Sequence, residues 1–139
     1  MIKFFTEDVK QPEIKKRVVS KWIHHTIESH GFKEGEISIV FCSDPFLLEY
    51  NKKYLSHNYY TDIITFNYNT EKVINGDLLI SIDTVKKNSN EFATPFTDEL
   101  NRVMIHGILH LLGFDDKSVK DQEAMRKLED LSLKQLYSV

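Results

Sequence analysis

TDELNRVMIHGILHLLGFDD, residues 97–116, reads as a helix with no polar face in its second half. Thr97 offers a cap, and Asp98 and Glu99 suit the positive end of a helix. The pattern continues to Leu112 and stops at Gly113, a residue that accepts the left-handed turn after a helix. Val103, Met104, Ile105, Ile108, Leu109, Leu111 and Leu112 surround the axis with apolar groups, so this helix must be buried on several sides. A buried helix needs layers around it, and the rest of the chain is read for those layers.

Upstream, Pro95 separates this helix from another over about 84–92. Residues 2–5 read as a first strand. Pro12 and Glu13 then open a helix carrying Ile14, Val18, Val19, Trp22, Ile23 and Ile27, which Gly31 ends. Ile37, Ile39 and Phe41 alternate as a second strand. Asp44 before Pro45 is an N-cap with proline at the first helical position, starting a helix toward Tyr54. Residues 62–68 and 77–82 give two more strands, parted by a polar stretch containing Asn75-Gly76. A last amphipathic helix covers about 119–136, with Met125, Leu128 and Leu131 as its inner stripe. The expectation is an α+β fold: one layered domain over residues 1–139, a small mixed sheet of about four strands packed with about five helices, and the histidine-bearing helix buried.

Composition is consistent with this. With 139 residues, 41% hydrophobic and 28% charged, the chain can build a core without disulfide staples. Its single cysteine, Cys42, ends the apolar run 37–42 and behaves as a small hydrophobe, which suits a reducing compartment. Neither a signal peptide nor a membrane span is expected, so the predicted location is cytoplasmic, with no membrane partner. A formal charge of −3 weighs against a protein that coats nucleic acid by charge alone.

The chemistry lies in the helix. His106 and His110 are four residues apart and share one face, close enough to hold one ion. Gly113 reverses the chain, and Asp116 follows three residues later with a carboxylate that can return to the pair; Asp115 is the alternative third ligand or an outer partner. The pattern H-x-x-x-H-x-x-G-x-x-D has the layout of the extended zinc-protease motif, with Gly107 where its glutamate base belongs, which disfavours a peptidase. One zinc per chain is expected on His106, His110 and Asp116. A fourth position stays open for water, whose pKa a bound ion lowers from about 15.7 toward about 7. Beyond that water, no catalytic group is assigned.

The run His106-Gly107-Ile108-Leu109-His110-Leu111-Leu112-Gly113-Phe114-Asp115 closely resembles the YbeY family of endoribonucleases, whose signature is H-G-x-L-H-L-x-G-[YF]-D-H. Asn51-Lys52-Lys53-Tyr54, residues 61–66 and residues 76–81 resemble the same family's segments in the same order. The resemblance implies a metal-dependent, single-strand-specific endoribonuclease acting in ribosomal RNA maturation and ribosome quality control. It implies ribosomal RNA and the small ribosomal subunit as partners, with ribosomal proteins or an assembly GTPase. Either a metal-bound water or the substrate's own 2′-hydroxyl would be the nucleophile.

Two positions depart from the family pattern: Asp116 replaces its last histidine, and Leu55 replaces an arginine. Lys52, Lys53 and His57 are the candidates for the missing positive charge toward RNA. These departures also motivate an alternative, a ribosome-assembly factor with a structural metal and little or no nuclease activity.

Other features have plainer readings. Lys15, Lys16, Arg17 and Lys21, like Lys86 and Lys87, read as solvated helix faces, and His24, His25 and His30 as surface residues. Phe66 and Tyr68 read as packing groups, whereas Tyr59 and Tyr60 are better placed to stack on bases. Ser81 and Asp77 are candidates to orient a ligand, while Asp83 is expected to cap the helix that follows it.

Overall fold

The computed structural model describes residues 1–54 and 62–138. The elements run β1 (Ile2–Thr6), α1 (Lys16–Ser29), β2 (Lys33–Cys42), α2 (Asp44–Tyr54), β3 (Ile63–Asn67), β4 (Val73–Ser81), α3 (Ile82–Glu91), α4 (Phe96–Leu111) and α5 (Val119–Tyr137). The strands form one mixed sheet in the order β1-β2-β4-β3. β1 and β4 both lie parallel to β2, and β3 runs antiparallel to β4 as the edge nearest α4.

The period of two decides the two faces. Ile37, Ile39 and Phe41 of β2 with Leu78 and Ile80 of β4 point to one side, where they form the main core with residues of α1, α3, α4 and α5. Cys42, Leu79 and Ile64 point to the other side, under Leu47 of α2. α4 is enclosed between the sheet, α3 and α5, as its apolar circumference requires. Trp22 donates its indole N–H to the Ser132 carbonyl at 2.7 Å and so ties α1 to α5.

Several boundaries differ from the sequence reading. α1 starts at Lys16 and not at Pro12: residues 11–15 approach as irregular chain, with Ile14 packed on the core. Asn75-Gly76 lies within β4; the chain reverses instead at residues 70–73, where Thr70 and Val73 exchange both backbone hydrogen bonds and Glu71 takes a φ of 51°. Gly76 is required by packing, since a Cβ there would lie 2.7 Å from the Phe66 carbonyl oxygen and 2.9 Å from Leu111.

The caps also shift by a residue or two. Ser43, not Asp44, receives the first N–H groups of α2, and Ser81, not Asp83, caps α3 through the Thr84 N–H. Asp83 turns instead to the Asp44 N–H at 2.9 Å. Thr97 caps nothing, because α4 begins behind Pro95 without a side-chain cap. On α5, Leu131 is 60% exposed; the inner face runs through Met125, Leu128, Glu129, Leu133 and Leu136.

Candidate metal centre

α4 ends in a backbone turn that its glycine makes possible. Gly113 adopts a φ of 102°, its N–H reaches the His110 carbonyl at 3.0 Å, and the Phe114 N–H reaches the Leu109 carbonyl at 3.1 Å. This pair of bonds closes the last helical turn and sends the chain back along the helix it has just left. Phe114 packs edge-on against the half-buried His30 at 5.5 Å, which holds the returning segment against the end of α1.

The reversal brings Asp116 to the histidine pair. The Nε2 atoms of His106 and His110 lie 3.0 Å apart, and the Asp116 Oδ2 is 3.3 Å from each. Two ring nitrogens and one carboxylate oxygen thus converge as the predicted donor set, within 4.8 Å of one another. Asp115 does not join them; its carboxylate accepts the N–H of Asp116. The donors are nitrogen and oxygen atoms at separations suited to a shared first-row divalent ion, so His106, His110 and Asp116 fit a metal.

Although α4 is buried, its histidines are not: the side chains of His106, His110 and Asp116 are 23%, 24% and 38% exposed, so the cluster opens to solvent. Behind it lies charge that the sequence reading did not assign. Glu129, 5% exposed on the inner face of α5, accepts from His106 Nδ1 at 2.6 Å and from Arg102 Nη1 at 2.8 Å. The second arm of Arg102 reaches Asp130 at 2.7 Å. Burial pushes the Glu129 carboxyl upward, but the bonds from His106 and Arg102 outweigh it and hold the group below the usual range. Burial pulls His106 down, and Glu129, Asp62 and Asp116 more than reverse this. Asp62, which enters β3 within electrostatic reach of His106, is raised by burial. The signal for Glu129 was present as an acidic residue four positions after Met125 on an apolar stripe, where an unpartnered charge is costly.

Gly107 is in the motif for packing. A Cβ there would stand 2.7 Å from Ile63 and 3.0 Å from Leu78, so glycine lets α4 lie directly on β3 and β4. Lys52 and Lys53 are exposed at the end of α2, on the other face of the sheet from α4, and they do not join the donor cluster; Lys52 is 3.9 Å from Glu49. Leu55, His57, Tyr59 and Tyr60 lie outside the described residues. Tyr68 is 57% exposed and is not a core residue, while Phe66 is half-buried beside Tyr50 of α2. No helix among the described residues is long and apolar enough to cross a membrane.

Comparison with known proteins agrees with this architecture. The family model described as endoribonuclease YbeY matches residues 2–137. A protein of Parabacteroides distasonis named endoribonuclease YbeY is 49% identical over 132 residues, covering 95% of this chain and 93% of that one. Its namesake in Phocaeicola vulgatus is 49% identical over 133 residues, covering 96% of each chain. The solution structure of TM1509 from Thermotoga maritima shares the fold, with a TM-score of 0.67 at 24% identity over 99% of this chain and 93% of that one. By its match to the family model from end to end and by its near-half identity to these relatives, the chain belongs to the endoribonuclease YbeY family.

Proposed function

We propose that this chain is a metal-dependent endoribonuclease that cuts single-stranded segments of ribosomal RNA during maturation and quality control of the small ribosomal subunit. The setting is cytoplasmic, in company with ribosomal proteins or an assembly GTPase. The observation that carries the reading is the convergence of His106, His110 and Asp116 in a chain of an endoribonuclease family. Zinc, one per chain, is the ion we favour, because two imidazole nitrogens and one carboxylate oxygen open to solvent are a donor set typical of catalytic zinc. When bound, the ion supplies Lewis acidity toward a phosphoryl oxygen or a water.

The chain's own residues do the rest. His106 and His110 hold their donors rigidly on a buried helix, and the carboxylate of Asp116 adds a negative charge that a third histidine would not bring. The open side of the cluster admits a polymer from solvent. Lys52, Lys53 and His57 are assigned to RNA phosphates away from the donor cluster, where cations add affinity by neutralising backbone charge. Three experiments on one preparation test the reading: metal content, cleavage of a single-stranded ribosomal RNA fragment, and cleavage of its duplex. The expected result is about one zinc per chain, cuts in the single strand only, and loss of both metal and cutting in His106→Ala and His110→Ala. Full zinc occupancy with no cleavage above the His110→Ala background would instead favour an assembly factor with a structural metal, the reading motivated by Leu55 and Asp116.

A further inference from the structure

The side of His106 that faces away from the donor cluster carries an inference of its own, which rests on reading that cluster as a metal centre. Arg102 offers only N–H donors, so the oxygen of Glu129 that meets it at 2.8 Å must accept. An ionised carboxylate has no hydrogen to give, so its other oxygen, 2.6 Å from His106 Nδ1, must accept as well. The hydrogen of a neutral His106 is therefore on Nδ1, and its Nε2 carries a bare lone pair aimed at His110 and Asp116. Glu129 is itself 5% exposed, so water does not compete for it.

The geometry points to Glu129 as a positioning residue of the metal centre: clamped by Arg102, it fixes His106 as the Nδ1–H tautomer and presents Nε2 to the ion. Arg102 has a second grip on Asp130, so the clamp joins α4 to α5 and gives the carboxylate one orientation. A metal-bound histidine held by a carboxylate on its far nitrogen is a recurring way of orienting a ligand, and loss of such a partner weakens metal binding roughly 10–100-fold.

The isosteric change Glu129→Gln is the sharp test. The amide oxygen must turn to Arg102, which only donates, leaving the amide N–H₂ against His106 Nδ1 and forcing the hydrogen onto Nε2. Nitrogen-edited NMR of the imidazoles, on the metal-free full chain at a pH above the histidine range, reads the tautomer. Competition with a chromogenic chelator reads zinc affinity. We expect His106 to be Nδ1–H in the wild type and Nε2–H in E129Q, with zinc affinity lower by roughly 10–100-fold. Adding Arg102→Met frees the amide to turn, so the double variant regains the Nδ1–H tautomer and most of the affinity. If E129Q does not fold, the same readings are made on Glu129→Asp, where the shorter arm cannot span both partners and the same loss of the fixed tautomer is expected.

An Nδ1–H tautomer that persists in E129Q, or zinc affinity within about twofold of wild type, overturns the proposal. A wild type that shows the Nδ1–H tautomer but binds no zinc overturns the metal reading beneath it, and Glu129 is then only a structural partner of His106.

Discussion

At the scale of single residues, the site depends on two glycines that do different work. Gly107 removes a side chain so that α4 can touch Ile63 and Leu78; Gly113 supplies a backbone angle that L side chains avoid. A methyl group at Gly113 meets nothing within 4 Å, so its penalty is conformational alone, about 1–2 kcal/mol. We expect Gly113→Ala to lower the unfolding free energy by that amount and also to weaken zinc binding, because Asp116 is delivered by this turn. Chemical denaturation beside a chelator competition checks both; an unchanged zinc affinity would show that Asp116 reaches the pair without the glycine turn. Both glycines were legible in the sequence, but only Gly113 by its reason. The Gly107 reason lies in Leu78 and Ile63, distant in the chain, and no local pattern indicates it.

At the scale of elements, the end of α4 is held by a side chain from the β3–β4 connection. Asn69 donates to the Leu111 carbonyl at 2.7 Å and accepts from the Asn75 N–H at 2.7 Å. It thereby satisfies one of the orphan carbonyls that every helix leaves at its C-terminus. Asn69→Ala strips both partners and is expected to cost about 1–3 kcal/mol, with faster hydrogen exchange at the Asn75 amide. A variant as stable as wild type, with that amide still protected, would mean that water replaces the asparagine. α5 shows the limit of reading one element at a time. Its stripe begins correctly at Met125 and Leu128, yet Leu131 is solvent-exposed and Glu129 is inside. A spacing of three falls about one residue short of two turns of a 3.6-residue helix, and which neighbour falls inward depends on what α4 offers; here Arg102 and His106 draw in an acid.

At the scale of the whole molecule, Cys42 reports on the fold because the sheet and α2 close over it. Burial, reinforced by the negative charges of Asp8 and Asp44, pushes its thiol from 9.0 up to about 12. A raised pKa means stability that is fully present below 9.0 and is lost progressively as pH climbs toward about 12, because the unfolded chain ionises first. Wild-type stability is therefore expected to fall more steeply over that window than that of Cys42→Ala, whose neutral-pH stability is itself lower by the loss of a buried group. Iodoacetamide should label the native thiol only at the rate of unfolding. Rapid labelling of the native protein would show that α2 opens independently of the core.

The sequence by itself determined what acts within a turn or two of chain: the alternating strands, the apolar circumference of α4, the shared face of His106 and His110, and the reversal at Gly113 that returns Asp116. Periodicity and backbone angles are local, so these were readable from residue types and spacing. Tertiary structure alone decided the sheet order, the use of Gly76 and Gly107 as packing contacts, the solvent-facing opening of the histidines, and the clamp of Arg102 on Glu129. Each of these brings together groups far apart in the chain, as Glu129 and His106 are, and the energy of such a contact is defined only once burial has removed water from both partners.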